Sequence, residues 1–356
     1  MLTKELKISK IYYWMLLFIP LSILIALFNS NKTLLFIVSI LAIIPLARII
    51  GYATQEIAIQ TNPSISGLFS ATFGNIVELI IVIIALSHGY IDVVKGSIIG
   101  SIIGNILLLI GLSVFVGGIK YKHQSFNKEA IGVSSTMLII AIVGISIPTV
   151  LYFVQPESTS IQTLSNVVAV VMALIYIAGL FFALKTHKDI FDASDEIRAT
   201  HEKPTMKKRL AAIILLIATI IVAIESELLV TGIKSASLSI GLSELFIGAI
   251  IIAIITNIAE KSAAIHFALK NRLDVSLEIG LSSAIQIALF VVPIIVLLSP
   301  FIGYPFSLVF SMFEIVSLLF AVMIVNHLAA DGKCNWLEGA QLIAVYLLIA
   351  IAFFFI

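Results

Sequence analysis

Long apolar runs separated by short polar segments recur along the whole chain of 356 residues. An α-helix needs about 20 mostly apolar residues to cross the hydrocarbon core of a bilayer. The pattern therefore predicts an all-α polytopic membrane protein with about 11 transmembrane helices. The predicted spans are 11–28, 33–51, 65–88, 95–118, 130–154, 163–185, 210–233, 243–270, 276–299, 304–328 and 337–356.

The composition agrees with a lipid environment. Hydrophobic residues make up 60% of the chain and charged residues only 12%, whereas soluble domains are roughly 25% charged. The chain has no Gly-rich phosphate loop and no basic nucleic-acid motif, so we expect no nucleic-acid partner. The single cysteine, Cys334, excludes a disulfide within the chain and a Cys-rich metal site.

Lysine and arginine residues predict the orientation of the helices, because cytoplasmic loops are enriched in both. With eleven spans, one side receives seventeen of the 21 basic residues and the other side three, while Lys261 lies inside a span. We therefore expect a multi-pass protein of the cell membrane with a cytoplasmic N-terminus and an external C-terminus. The apolar stretch from Tyr12 to Phe28 lacks a signal-peptide cleavage site and is interpreted as the first membrane helix.

The longest connection, 186–209, divides the chain into matching parts. We predict an N-terminal helix within 1–32, a five-helix repeat over 33–185, a cytoplasmic acidic linker over 186–209 and a second five-helix repeat over 210–356. Since five is odd, equivalent helices run in opposite directions, which makes the repeats inverted. The acidic side chains of the linker form either a solvated surface or a surface that collects cations near the cytoplasmic mouth. These side chains are Asp189, Asp192, Asp195 and Glu196.

The motif Asn-x-x-Glu occurs once in each half, as Asn75 with Glu78 and as Asn257 with Glu260. An ionisable residue inside a membrane is costly and indicates function by default. Gly74, next to Asn75, favours a helix break near the bilayer centre, which would free backbone carbonyl groups. Two such motifs in inverted repeats predict an ion site between the halves.

The following helix of each half adds polar side chains, Ser101 and Asn105 in the first and Ser283 and Gln286 in the second. Together with the two motifs they supply carboxylate, amide and hydroxyl oxygens. Calcium takes 6–8 such oxygen ligands in flexible geometry, whereas zinc or copper prefers clustered His or Cys. Sodium also prefers oxygen ligands, so these residues leave the choice between calcium and sodium open.

Two ionised carboxylates close together in an apolar surrounding repel each other, so the charged pair is disfavoured without a cation. Two protons or one divalent cation would each neutralise Glu78 and Glu260. If only the neutralised forms change sides, the result is cation/proton exchange by alternating access. Other charged residues in spans are open to roles as ligands, proton relays or helix-end groups that face water, and we favour proton relay or gating. These are Glu225, Glu227, Glu314 and Lys261.

Several segments resemble one known family in the order of the chain. They are Ala53-Thr-Gln-Glu56-Ile-Ala-Ile, Gly67-Leu-Phe-Ser-Ala-Thr-Phe-Gly-Asn-Ile-Val-Glu78-Leu-Ile, Ser283-Ala-Ile-Gln286-Ile-Ala-Leu-Phe-Val, Phe313-Glu314-Ile-Val and Asp331-Gly-Lys-Cys-Asn-Trp-Leu-Glu338-Gly. The chain resembles the calcium/proton exchangers, the cation/proton branch of the calcium/cation antiporter superfamily. The sodium/calcium branch usually has Thr-Ser-x-Pro-Glu in the signature helix, and that proline is absent here.

The resemblance implies that Glu78 and Glu260 bind calcium and protons in turn. It also implies supporting metal contacts for Asn75, Asn257, Ser101, Asn105, Ser283 and Gln286. Two positions depart from the family pattern: Thr256 replaces a common Gly, and Lys261 replaces a common His. Because of these two departures, the resemblance does not define the ion preference or the pH optimum of this chain.

The predicted function is export of cytosolic Ca²⁺ in exchange for external H⁺, both as substrates and without a cofactor. The alternative is a Na⁺/Ca²⁺ or other divalent-cation exchanger on the same scaffold. An intramembrane enzyme is a further alternative, but the spans contain no His-Glu-x-x-His and no Ser/His/Asp grouping. An ion channel is another, although inverted duplication favours alternating access.

Overall fold

A computed structural model describes residues 10–28, 31–61, 66, 69, 70, 72–156, 160–187, 190 and 204–356. Almost all of this part of the chain is helical, which confirms the predicted fold class. The helices up to the middle of the chain are α1 (Lys10–Met15), α2 (Phe18–Phe28), α3 (Lys32–Ile59), α4 (Ile76–Ser87), α5 (Ile91–Ile103), α6 (Ile110–Tyr121), α7 (Lys128–Val154) and α8 (Ile161–Phe181). The later helices are α9 (Lys208–Ile240), α10 (Glu244–Phe246), α11 (Ala253–Thr256), α12 (Ile258–Ala268), α13 (Leu273–Gln286), α14 (Val292–Ile302), α15 (Met312–Ala329) and α16 (Trp336–Phe354).

Several of these α-helices are continued by π-helical segments and form longer continuous helices. The π-helical segments are Gly104–Leu109, Phe182–Thr186, Ile247–Ile252 and Ile287–Val291. When each continuous helix is counted once, nine helices in the described residues are long and apolar enough to cross a membrane. The pair Glu244–Thr256 and Ile258–Ala268, bent by 55°, meets the same criteria together and gives a tenth span if it is counted as one.

The predicted span 65–88 includes α4, which has only 12 residues. Residues 65, 67, 68 and 71 of that span lie outside the described residues. The predicted number of eleven spans is therefore neither confirmed nor contradicted.

The two longest helices, α3 and α9, pack against each other in antiparallel directions. The Thr33 hydroxyl at the start of α3 lies 3.1 Å from the Ser239 hydroxyl near the end of α9. At the opposite end, the Glu56 carboxylate accepts hydrogen bonds from the backbone N–H groups of Thr205 (3.0 Å) and Met206 (3.3 Å), just before α9. These contacts connect equivalent helices of the two predicted repeats.

Helix α5 contacts the 247–252 segment almost backbone to backbone. A Cβ atom added at Gly100 would lie 1.9 Å from the carbonyl oxygen of Ala249, and one at Gly96 would lie 2.4 Å from that of Leu245. Small residues allow this approach, which stabilises membrane helices through close packing. The two halves of the chain are therefore tightly packed at this position.

Two short strands depart from the prediction of a wholly helical chain. β1 (His123–Ser125) pairs antiparallel with β2 (Lys333–Asn335), and Gln124 faces Cys334. The loop that contains β1 also contacts the loop after α12, where the Gln124 amide donates a 3.1 Å hydrogen bond to Asn271 Oδ1. All three loops were predicted on the same side of the membrane, so their contacts agree with the predicted alternation of the helices.

Candidate ion-binding site

Helix interruptions place both Asn-x-x-Glu motifs at the start of a helix. Asn75 directly precedes α4 with φ −107° and ψ 25°, and Asn257 directly precedes α12 with φ −92° and ψ 14°. Glu78 and Glu260 therefore lie in the first turns of their helices. Free N–H groups and the helix dipole favour negative charge there, so the chain conformation itself helps to stabilise each carboxylate.

Ser283 connects the two motifs. Its hydroxyl lies 2.8 Å from Glu260 Oε2 and 3.3 Å from Asn75 Oδ1. The Asn105 amide donates a 2.8 Å hydrogen bond to the same hydroxyl. A side chain from the second half of the chain thus contacts residues of both halves.

Asn105 and Asn257 extend this network. The Asn105 amide also donates to Asn257 Oδ1 at 3.1 Å, and the Asn257 amide donates to Ser101 Oγ at 3.3 Å. Both asparagines are completely buried. Asn105 lies in the π-helical segment that follows α5, and such segments are frequent at functional sites because they redirect side chains.

Gln286 completes the cluster from the end of α13. Its Oε1 accepts a 2.6 Å hydrogen bond from Asn75, and its Nε2 donates a 3.1 Å hydrogen bond to Ser282. Glu78 hydrogen-bonds with Thr256, the residue before Asn257. The structure therefore brings all eight residues of the predicted metal set into one group, in which Glu260 and Gln286 are half-buried and the other six are buried. The two glutamates of this group are close enough to repel each other.

Lys261 lies beside this group. Its side chain is 7% exposed, and its Nζ donates a 3.4 Å hydrogen bond to the carbonyl oxygen of Ala253. Its charge attracts both Glu260 and Glu78. A buried ammonium group thus offsets part of the negative charge of the carboxylate pair.

Three other predicted acids lie away from the cluster. Glu225 on α9 is completely buried and lies 2.6 Å from the Ser22 hydroxyl of α2. Glu227 is exposed, and its carboxylate lies 3.1 Å from His88 Nε2. Glu314 Oε2 accepts a 2.8 Å hydrogen bond from the backbone of Ser311 and completes the N-terminal cap of α15. Their predicted roles in relay or gating remain predictions, and the acidic linker residues Asp189, Asp192, Asp195 and Glu196 lie outside the described residues.

Sequence reasoning missed two polar residues. Thr256 was noted only as a departure from a family pattern, whereas its side chain contacts both Glu78 and Asn257. Glu278 is the other residue: it is an acid in a predicted span, so the criterion that identifies Glu260 applies to it as well. The described residues contain no group of three or more His, Cys, Asp or Glu that could hold a metal ion. The oxygen atoms in this cluster belong to two carboxylates and to amide and hydroxyl groups.

The fold defines a multi-pass membrane protein with a largely buried polar cluster between its two halves. The sequence model of the sodium/calcium exchanger protein family matches residues 31–185 and 210–355. The chain therefore belongs to the sodium/calcium exchanger protein family.

Individual relatives agree with this assignment. The chain is 42% identical over 363 residues to a Ca²⁺/H⁺ antiporter of Synechocystis sp., and the alignment covers 98% of each chain. It is 41% identical over 337 residues to the Ca²⁺/H⁺ antiporter ChaA of Bacillus subtilis, covering 94% of this chain and 96% of the relative. The solved structure of native YfkE matches with a TM-score of 0.84 and 39% identity, covering 97% of this chain and 100% of that one.

Proposed function

We propose that the protein is a secondary transporter that exports cytosolic Ca²⁺ in exchange for external H⁺. The observation that carries the proposal is the buried cluster in which Glu78 and Glu260 begin two separate helices and share a network of amides and hydroxyls. One Ca²⁺ neutralises two carboxylates, and so do two protons. Relatives over nearly the whole chain named as Ca²⁺/H⁺ antiporters support the same substrates.

In this proposal Ca²⁺ contacts both carboxylates and oxygens of Ser283, Gln286 and the three asparagines, with water completing its coordination. Protons arriving from outside neutralise the carboxylates and release the ion. Since a bare pair of charges is costly in a low-dielectric surrounding, the unloaded carboxylates seldom change sides. Exchange follows because both loaded forms move while the charged empty form does not.

The proposal includes the orientation in the membrane. The N-terminus faces the cytoplasm, as the distribution of basic residues predicts. The loops that contain β1 and β2, the loop after α12 and the junction before α9 then lie on the cytoplasmic side. The two halves, 33–185 and 210–356, form inverted repeats that rock against each other around the cluster.

The decisive experiment measures Ca²⁺ uptake into proteoliposomes under an imposed pH gradient. Glu78→Gln and Glu260→Gln are expected to abolish uptake, because an amide neither takes up a proton nor carries the charge that binds Ca²⁺. Glu129→Gln is the matched control, since Glu129 is exposed in the first turn of α7. Full uptake by either of the first two variants would contradict the proposal.

The same vesicles distinguish the alternative exchanger. A Na⁺ gradient replaces the pH gradient, and Mn²⁺ replaces Ca²⁺, in separate measurements. A proton-coupled calcium exchanger takes up Ca²⁺ with the pH gradient and not with the Na⁺ gradient alone. Uptake driven by Na⁺ at constant pH would assign the chain to the alternative function.

A further inference from the structure

A cavity lies next to the central cluster, between α7, α8 and α13, and combines apolar lining residues with several polar ones. It has a volume of about 90 Å³. A buried water needs roughly 10–15 Å³ of such volume, so the cavity has room for several water molecules. Its polar lining residues are Ser134, Tyr176, Glu278, Ser282 and Gln286.

Two of these polar groups lack partners. Glu278 is half-buried, and within the described part of the chain it forms neither a hydrogen bond nor an ion pair. The hydroxyl of Tyr176 is buried without a hydrogen-bond partner in the same residues. A carboxylate inside a membrane span needs a compensating charge or water. The cavity is where such a partner fits, since both side chains line it.

A line of side chains connects this cavity with the central cluster. Glu278, Ser282 and Gln286 are spaced by four residues along α13 and therefore lie on one helix face. The Gln286 amide contacts Ser282 at 3.1 Å and Asn75 at 2.6 Å. At 1.5 Å per residue, the eight residues from Glu278 to Gln286 correspond to roughly 12 Å along the helix. Polar groups thus extend from the cavity to the predicted calcium ligands.

The cavity lies beside α13, between Glu278 and Gln286. α13 begins on the side where the loop after α12 meets Gln124, which is the cytoplasmic side in the proposed orientation. On the opposite side of the cluster, the corresponding helix α5 is closed against the 247–252 segment at Gly100 and Gly96. The polar space next to the site is therefore in the cytoplasmic half of the membrane.

We propose that Glu278 is a cation-binding residue of the cytoplasmic access path, where it attracts hydrated Ca²⁺ before the ion reaches Gln286 and the central cluster. This inference rests on the proposed function and adds a binding residue to it. The carboxylate supplies negative charge, and Ser134, Tyr176 and Ser282 supply hydroxyl groups for the water around the ion. The ion then moves along the polar face of α13 to the paired glutamates.

The first experiment measures Ca²⁺/H⁺ exchange as a function of Ca²⁺ concentration on the cytoplasmic face of membrane vesicles. Glu278→Gln is expected to raise KM for Ca²⁺ at least about fivefold, because the cation is no longer attracted by the negative charge of this carboxylate. The maximal rate is expected to stay unchanged. Glu278→Asp keeps the charge and is expected to keep the KM of the original protein. The control Glu129→Gln removes the same charge at the same face, outside the cavity, and is expected to leave KM unchanged.

An unchanged KM in Glu278→Gln, with normal exchange by the original protein, would overturn this inference alone. Absence of exchange by the original protein would instead contradict the proposed function. A KM that rises equally in Glu129→Gln would also overturn the inference, because surface charge would then explain the effect.

A second experiment tests the position of the cavity. Ser134→Cys is introduced together with Cys334→Ser, and a membrane-impermeant thiol reagent is applied to one face at a time. Modification from the cytoplasmic face is the expected result. Modification only from the external face, or from neither face, would overturn the inference even if Glu278→Gln did not fold.

Discussion

Removal of the Ser283 hydroxyl is expected to weaken calcium binding without unfolding the protein. This hydroxyl carries one hydrogen but has two acceptors nearby, Glu260 Oε2 at 2.8 Å and Asn75 Oδ1 at 3.3 Å. It also accepts a 2.8 Å hydrogen bond from Asn105. Ser283→Ala therefore removes one donor, one acceptor and one oxygen available to the ion.

The magnitude follows from the cost of leaving buried polar groups unpaired. That cost is about 1–3 kcal/mol per group, and every 1.4 kcal/mol corresponds to roughly a factor of ten in affinity. Asn105 keeps a second acceptor, Asn257 Oδ1 at 3.1 Å, so most of the cost falls on the Glu260 contact. We expect KM for Ca²⁺ to rise by about 5- to 150-fold in proteoliposome uptake under a fixed pH gradient.

The matched control is Ser146→Ala, because the Ser146 hydroxyl only donates to the carbonyl oxygen of Ile142 in its own helix. Both variants are expected to have the same thermal unfolding midpoint in detergent within a few degrees. A KM for Ser283→Ala within twofold of the original protein, with Ser146→Ala also unchanged, would refute the argument that this hydroxyl holds the cluster together.

Three further predictions concern packing, charge and reactivity. Gly100→Ala is expected to lower the thermal unfolding midpoint in detergent, since overpacking costs about 1–3 kcal/mol. Gly132→Ala is the control and is expected to be neutral or stabilising, because a Cβ atom added there meets no atom within 4 Å. Equal midpoints for the two variants would contradict the close helix contact at Gly100. Lys261→Met is expected to lower KM for Ca²⁺, because it removes a positive charge that attracts both glutamates, and a raised KM would show instead that the lysine positions them. Burial raises the pKa of the Cys334 thiol, so the thiol stays protonated as the pH rises through the range in which an exposed cysteine ionises. Maleimide labelling of the folded protein at pH 8 is therefore expected to be slow compared with labelling of Ser134→Cys, and labelling of both cysteines at one rate would disprove this.

The class of protein and most of the candidate site are predictable from the amino-acid sequence alone. Apolar runs of about 20 residues allow few structures other than membrane helices, because backbone polar groups must pair internally in lipid. The sequence also reveals the two Asn-x-x-Glu motifs, Asn75 with Glu78 and Asn257 with Glu260. They stand out because a carboxylate inside an apolar run is costly and therefore indicates function. The matching polar positions after the two motifs likewise predict Ser101, Asn105, Ser283 and Gln286.

Which polar residues contact each other depends on the three-dimensional packing of the helices. Glu225 and Glu260 are both acids in apolar helices, but Glu225 contacts Ser22 of the first helix and Glu260 contacts Ser283 of the central cluster. Helical periodicity predicts on which face of its helix a residue lies, but it does not predict which other helix packs against that face. The interhelical contacts at Gly100 and the space beside Glu278 depend on how whole helices are positioned, and this information is distributed over residues far apart in the chain.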